Sequence, residues 1–420
     1  MKEGVGPCIR AFRHTCFSSS PQIRGFSFAR ESCVREEETV GEDYSPTVTA
    51  LDESMMRRAI MLARKGAGWT NPNPLVGAVV VKDGRVIGEG YHEVYGSLHA
   101  ERNALAACAE DPAGATLYVT LEPCCHTGKQ PPCIEAVIAA GITRVVVGSR
   151  DPNPLVSGKG NEALRAAGIE VVEDVLRDRC DALNPVFFHF MTTGRPYVVS
   201  KWAMTLDGKI ATHSGDSQWV SCEESRADVH LLRHRLAAIM VGINTVLADN
   251  PMLTARCDFP TNQPLRMVVD GKLRIPHDCQ LVQTANEVPV LVATAVAQAG
   301  DRAEELRALG VEVVSLPRPD GEVDLSALIH LLGTRGVDSV LVEGGGTLHE
   351  AMFRTGLVDR TIVYLAPKVC GGATAKSPVA GEGIEKMADA LELGHPMVER
   401  LGDDLKITYL RKDPASERGL

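Results

Sequence analysis

From Asp52 onward the chain alternates between two hydrophobic spacings. Met55, Ala59, Ile60, Leu62 and Ala63 recur at helical intervals, Ser54 offers an N-cap, and Lys65-Gly66 closes the segment. The run "LVGAVVV" is strand-like, and "KDGR" turns it back into "VIGEGYH", which predicts a hairpin. "HAERNALAACAE" then reads as helix, "ATLYVTLE" as strand, "CIEAVIAAG" as helix and "TRVVVGSR" as strand. Such alternation implies a layered α/β sheet with helices on its faces.

The segment "DPNPLVSGKGNEALRAAGIEVVEDVL" reads helix then strand and forms a connecting region. The helical "RDRCDALNPVFFHFMTTGRP" carries the chain into a second α/β domain beginning near Pro196. There "YVVSKWAM", "AAIMVG", "LRMVVDG", "VPVLVAT", "VEVVSL", "SVLVEG" and "RTIVYLAPKV" are the expected strands. "CEESRADVHLLRHRL", "DRAEELRALG", "DLSALIHLLGTRG" and "TLHEAMFRTG" are the expected helices. No short-period repeat runs through the chain. The expected division is a leader over 1–50, a first domain with its connecting region over 51–194, and a second domain over 195–415.

The leader differs in composition. Residues 1–35 carry Arg10, Arg13, Arg24, Arg30 and Arg35 against Glu3 and Glu31, followed by the acidic "EEETVGED". An organelle transit peptide and a disordered leader translated from an upstream start both fit; the first implies a plastid, the second the cytoplasm. Over the 420 residues, a net charge of −10 and 5% aromatics argue against a nucleic-acid binder, which needs a basic stripe and stacking rings. No segment reaches the roughly 18–20 apolar residues of a membrane span, so a soluble protein without a membrane partner is expected. Twelve cysteines are too dilute for a disulfide scaffold and favour a reducing compartment.

Candidate chemistry concentrates in "TLEPCCHTGKQPPC" and the upstream "HAE". A zinc ion that activates water takes three protein ligands and keeps one open position. His99, Cys124 and Cys133 supply the donors, and Glu101 is the residue type that moves protons between water and a leaving amine. Positions i and i+2 share no face in mid-helix, so His99 and Glu101 converge only if the site lies at the helix start. Pro131-Pro132 place Cys133 near another helix start, where the macrodipole favours a thiolate. A structural zinc site made with His126 is the competing reading of the cysteine loop. The order His-x-Glu, strand, Pro-Cys, then Cys opening a helix is that of zinc nucleoside deaminases, but eight residues rather than two separate the cysteines.

With that longer loop, "HAERNAL", "YVTLEPCCHTGKQPPC" and "RDPNPLVSGKG" closely resemble the deaminase half of the bifunctional riboflavin-biosynthesis deaminase/reductases of the RibD type. The resemblance spans roughly residues 51–412. It implies a cytidine-deaminase-like three-layer αβα domain followed by a dihydrofolate-reductase-like α/β domain. It implies one zinc per deaminase domain on His99, Cys124 and Cys133, with Cys125 and His126 outside the ligand set, and Glu101 as the proton shuttle. The implied substrate is 2,5-diamino-6-ribosylamino-4(3H)-pyrimidinone 5′-phosphate, a small phosphoribosyl pyrimidine that loses its 2-amino group as ammonia. Asn73, His92 and Lys129 match its substrate positions; Lys129 could equally be a solvated lysine and His92 a strand-end histidine.

"SVLVEGGGTLHEAM" runs a strand through three glycines into a helix, a weak anion-site signal alone. "KWAMTLDGKIAT", "GDSQWVS" and "GINTVLADNPMLTAR" resemble the family's reductase half, which reduces the ribosyl to a ribityl chain with NADPH. The resemblance assigns Lys201, Ser217, Arg233, Leu253, Arg256 and Glu343 to substrate. It assigns Ala203, Trp219, Thr245, Asp249, Gly345, Gly346 and Thr347 to cofactor. Arg233 could instead be a solvated helix face and Trp219 core, and Gly271 stands where the family often has a hydroxyl. Both activities are expected, in a homodimer or homotetramer. The alternatives are a deaminase with an inactive second half and a zinc-stabilised binding module; a nucleic-acid deaminase fits the acidic balance poorly.

Overall fold

The computed structural model describes residues 48–127, 130–153, 156–296 and 300–412. Residues 1–47 of the leader and Lys129 lie outside them.

The first domain begins with α1 (Ala50–Ala63), capped by Thr49 rather than Ser54. The Thr49 side chain accepts from the Asp52 backbone while the Asp52 carboxylate reaches back to Thr49, so the helix starts five residues before the expected cap. After it come β1 (Gly77–Lys82), β2 (Arg85–Tyr91), α2 (Ala100–Ala106), β3 (Thr116–Leu121), α3 (Cys133–Ala139) and β4 (Arg144–Ser149). Next are α4 (Lys159–Ala166), β5 (Glu170–Val172), α5 (Arg177–Asp181) and α6 (Pro185–Thr193). The strands make one sheet in the order β2-β1-β3-β4-β5, antiparallel across β2-β1-β3 and parallel across β3-β4-β5. The "connecting" helix and strand are therefore α4 and β5, part of this sheet.

Alternate side chains of these strands feed two cores. Ala78, Val80, Leu117, Val119, Val145 and Val147 pack with Ala100, Ala104, Val137 and Leu164 of α2, α3 and α4. Val79, Val81, Tyr118 and Val146 pack with Met56, Ala59 and Ile60 of α1 and Cys180 of α5. Burial on both faces explains why the strands read as unbroken apolar runs. Gly90 sets the position of α2: a Cβ there would stand 2.3 Å from the Ala104 nitrogen, so the helix lies directly on the strand.

The second domain contains β6 (Tyr197–Thr205), α7 (Glu223–Arg235), β7 (Ala238–Gly242), α8 (Ile243–Asp249), β8 (Leu265–Val269) and α9 (Gln280–Gln283). It continues through β9 (Val290–Thr294), α10 (Asp301–Ala308), β10 (Val311–Ser315), α11 (Leu325–Thr334), β11 (Ser339–Val342), α12 (Gly346–Arg354) and β12 (Arg360–Ala366). It ends with β13 (Met397–Leu401) and β14 (Asp404–Leu410). Its sheet runs β10-β9-β8-β7-β11-β6-β12-β14-β13, parallel except at β14 and β13. The β13-β14 hairpin and the short helices α8 and α9 are additions to the elements expected from sequence.

The order places a branch point between β7 and β11. From β7 the chain continues through α8 to β8 on one side; from β11 it continues through α12 to β12 on the other. Ile243 and Val246 of α8 join the core of Ile239, Val241, Val268 and Val292. Leu348 and Met352 of α12 join the core of Met240, Met267, Leu291 and Val342 on the opposite face. Crevices at such strand ends, where the chain departs to opposite faces, are where open α/β sheets bind ligands.

Two candidate active sites

His99 is the N-cap of α2, with extended backbone at φ −75° and ψ 165°, and Glu101 lies in the first turn. That non-helical cap lets two residues at i and i+2 face one point. Cys133 opens α3 behind Pro132, and Cys124 sits in the loop after β3. Arg102 Nη2 donates to the Pro132 carbonyl at 2.9 Å and ties the two helix starts together. In a tetrahedral zinc centre with bonds of about 2.0 Å to nitrogen and 2.3 Å to sulfur, nitrogen and sulfur ligands stand about 3.5 Å apart. His99 Nδ1 lies 3.6 Å from Cys124 Sγ and 3.3 Å from Cys133 Sγ. All three donor atoms fall within 4.8 Å of one another. The donors fit the metal, and among the described residues neither Cys125 nor His126 belongs to the cluster.

A cavity of about 300 Å³ opens on this cluster, lined among others by Asn73, His92, Glu101, His126, Gln130, Asp151, Asn153, Phe187 and Phe190. Glu101 is 3% exposed. Burial, then the charge on Cys124, pushes its carboxyl up to about 7, within reach of both protonation states at neutral pH. The thiol hydrogen bond from Cys133, with help from His99, holds Cys124 down at about 4 against its burial, which favours a thiolate in the pair. Burial lowers His92 and keeps it neutral. The Leu98 carbonyl accepts from its Nδ1 at 3.1 Å, and Nε2 accepts from Asn73 Nδ2 at 3.1 Å, an assignment drawn from the network. His92 is buried against the Asn73 amide, and both side chains line the cavity.

Several contributors carry no sequence signal of their own. Glu122 is buried and accepts backbone N–H bonds from Gly158 and Gly160, each at 2.9 Å, which ties the start of α4 to a residue that lines the cavity. Phe187, Phe190 and Met191 bring the face of α6 into the wall. Only helical spacing in "NPVFFHFM" hints at them.

In the second domain Glu343, just past β11, accepts both Arg233 Nε at 2.8 Å and Nη2 at 2.7 Å, with Lys201 Nζ 3.5 Å away. Burial alone would raise Glu343, but Arg233 and Lys201 bring it down to about 2. Arg233 is therefore buried and paired, not a solvated helix face. Its Nη1 donates to the Thr254 carbonyl at 3.1 Å. Leu253, beside it, is buried with φ 54°. Arg256 is exposed and reaches Thr254 Oγ1 at 3.1 Å and His230 at 3.4 Å. His230, another contributor without a sequence signal, is lowered to about 4 by burial and then by Arg233 and Arg256.

The three glycines follow Glu343 at the branch point. Gly345 caps α12 at φ 87°, and Gly346 and Thr347 form its first turn. Gly242 likewise caps α8, so two helix starts meet there. A Cβ on Gly344 would lie 3.1 Å from Thr245 Oγ1, which places Thr245 against the glycine turn. Ala203 pairs in register with Tyr364 on β6 and β12. This pair of helix starts fits a dinucleotide phosphate. Asp249 lies exposed at the far end of α8. Ser217 and Trp219 lie on the segment between β6 and α7; Trp219 is 61% exposed and not core, with the Arg226 guanidinium 4.7 Å from its ring centre. A Cβ on Gly271 would meet nothing closer than 3.9 Å, so space does not demand glycine there.

Together the fold and the two clusters define a two-domain enzyme with a zinc-type deaminase half and a nicotinamide-type reductase half. Residues 49–149 match the cytidine and deoxycytidylate deaminase zinc-binding region, and residues 196–407 match the RibD C-terminal domain. The riboflavin biosynthesis protein RibD of Actinobacillus pleuropneumoniae is 52% identical over 368 residues, covering 88% of this chain and 97% of that protein. Its Escherichia coli namesake is 41% identical over 366 residues, covering 84% and 98%. The solved structure of Acinetobacter baumannii RibD superposes with a TM-score of 0.77 at 37% identity, covering 86% of this chain and 99% of that one. The solved structure of the deaminase/reductase of Thermotoga maritima also superposes with a TM-score of 0.77, at 38% identity and with 86% and 99% coverage. The chain belongs to the RibD family, the bifunctional deaminase/reductases of riboflavin biosynthesis. Its second half is a RibD reductase domain, so the reading of that half as an inactive module is set aside.

Proposed function

We propose that this enzyme deaminates 2,5-diamino-6-ribosylamino-4(3H)-pyrimidinone 5′-phosphate and then reduces the ribosyl group of the product with NADPH. The observation that carries the reading is the convergence of His99, Cys124, Cys133 and Glu101 on one cavity, in a chain that also assembles Lys201, Arg233 and Glu343 beside a glycine turn. The domain boundary is taken at residues 194–195.

In the first step water adds to C2 of the pyrimidinone and the C2–N bond breaks, releasing ammonia. Zinc held by His99, Cys124 and Cys133 supplies Lewis acidity that makes water a nucleophile at neutral pH. Glu101 takes the proton from the attacking water and delivers it to the leaving amine, a two-way task that suits a carboxyl raised to about 7. Asn73, oriented by His92, holds the pyrimidinone, and Lys129 meets the phosphate as a point charge.

In the second step NADPH would supply hydride to C1′ of the ribosyl group, the ring C1′–O4′ bond breaking and O4′ taking up a proton to become a hydroxyl. Arg233 commits its planar edge to Glu343, and Arg256, exposed nearby, is the guanidinium that meets the substrate phosphate. Lys201 and Glu343 hold the sugar hydroxyls, with Ser217 and Leu253 completing the substrate wall. Ala203, Trp219, Thr245, Asp249, Gly345, Gly346 and Thr347 line the cofactor. We place the enzyme in the cytoplasm as a homodimer or homotetramer on the strength of the family resemblance.

Purified full-length protein incubated with the ribotide should release ammonia without NADPH. With NADPH, it should yield the reduced, deaminated product by mass, with loss of the nicotinamide absorbance. Ammonia release without NADPH oxidation would overturn the second step; no ammonia release would overturn the first.

A further inference from the structure

The loop that brings Asn73 to the deaminase cavity is not held by the deaminase half alone. Residues 67–73 lead from α1 toward β1 with four backbone bonds, Ala67 N to Arg64 O at 3.2 Å, Trp69 N to Gly66 O at 3.0 Å, Asn73 N to Thr70 O at 2.7 Å and Tyr95 N to Trp69 O at 3.0 Å. Their inner side forms cavity wall through Pro72 and Asn73. Their outer side rests on the reductase half. The Trp69 and His234 rings meet edge to face with centroids 5.2 Å apart. Gly68 approaches so closely that a Cβ would stand 2.3 Å from His234 Nε2, which leaves room only for glycine. Asn71 Nδ2 donates to Asp338 Oδ2 at 2.8 Å across 267 positions of sequence.

Both partners are fixed in turn. His234, 3% exposed, accepts from the Asn262 backbone at Nδ1 (3.0 Å). Asp338, 2% exposed, accepts the Ser339 hydroxyl on its other oxygen at 2.6 Å. Resting on the reading of Asn73 as a substrate residue, we propose that Asp338 and His234, in the reductase half, are positioning residues for deamination: they set the 67–73 loop so that Asn73 meets the pyrimidinone. Misplacing a positioning group by about 1 Å can cost 10²-fold, far more than the hydrogen bond that held it.

Asp338 is the cleaner probe. It immediately precedes β11, and Glu343 immediately follows that strand, about 16–17 Å away at strand rise. His234 neighbours Arg233 and could disturb reduction. The test uses the full-length chain with Asp338→Ala, Asn71→Ala and the reciprocal pair Asn71→Asp with Asp338→Asn. In the reciprocal pair the introduced asparagine keeps a carbonyl oxygen for the Ser339 hydroxyl and turns its amide toward the carboxylate at position 71. Each single variant should raise the KM for deamination about 3- to 20-fold. Its bound zinc should be unchanged, and its reduction of the deaminated ribotide should stay within about twofold. The reciprocal pair should return KM to within about threefold of the parent. An unchanged deamination KM in the single variants, a parallel loss of both activities, or a reciprocal pair no better than the singles overturns the proposal. Should Asp338→Ala fail to fold, Asn71→Ala on the loop decides by the same criteria. Failure of the functional reading is separate: the parent chain would release no ammonia, or Asn73→Ala would leave its KM unmoved, and this proposal would fall with it.

Discussion

Glu101 shows what a single carboxylate can be asked to do. It is buried in the first turn of the helix that His99 caps, on the cavity that His99 and Cys124 also line. Glu101→Gln keeps volume and packing but cannot accept the proton. Deamination should fall about 10²- to 10⁴-fold, with zinc content and NADPH oxidation on the deaminated ribotide unchanged; ammonia release and metal analysis together check this. Arg233 is the counterpart in the reductase half. Arg233→Lys replaces a planar two-point contact to Glu343 with a point charge, a loss of about 1.5–3 kcal/mol, so reduction should drop roughly 10- to 150-fold while deamination holds. His99, Glu101, Cys124 and Cys133 were legible because zinc chemistry restricts residue type and order. His230 and Glu122 were not, since a histidine on a helix and a glutamate after a strand look ordinary until the distant Arg256 or Gly158 arrives.

At the scale of elements, α1 depends on more than its apolar stripe. Asp52 closes the capping box with Thr49, pairs with Arg144 Nη1 at 2.6 Å and accepts from Tyr118 at 3.0 Å, all while 1% exposed. Burial alone would raise it, yet Arg144, Thr49 and Tyr118 hold it at about 2. A folded value below the ordinary 3.8 means stability that is present above about pH 4 and lost as pH falls through about 2, amounting to about 2 kcal/mol. Thermal melts of the parent and Asp52→Asn should differ above pH 4 and converge toward pH 2. Asp52→Ala at neutral pH should cost about 2–4 kcal/mol, because it removes the capping box and the buried partner of Arg144, leaving that guanidinium only the exposed Glu170. The same residue explains the misplaced helix start. Ser54 is an eligible cap, and the box that wins uses aspartate at its third position where glutamate or glutamine is the usual signature. The β13-β14 hairpin escaped notice for another reason. Met397, Val398, Glu399 and Arg400 of β13 are all exposed, so no period-two burial was imposed on that sequence.

Over the whole molecule, the alternation of strands and helices was enough to read two layered sheets, because burial on both faces leaves continuous apolar runs. What it could not carry was the contact between halves: Asn71 and Asp338 are 267 positions apart and neither has a local signature. The same architecture decides how the enzyme should respond to losing its metal. The three ligands sit on α2, α3 and the loop after β3, whereas the two cores of that sheet are built from apolar side chains that do not include them. A module that needs zinc to fold would melt on chelation; here chelation should stop ammonia release while the far-ultraviolet circular dichroism persists. The reductase cluster of Lys201, Arg233 and Glu343 contains no metal ligand from the first domain. Chelated protein should therefore still oxidise NADPH when given the deaminated ribotide, and should stay silent when given the amino ribotide if reduction accepts only the product of the first site. Nicotinamide absorbance followed with each ribotide separates the cases. Oxidation with the amino ribotide would show that the order of the two steps is not imposed by the second site, and loss of the circular dichroism signal would return zinc to a structural role.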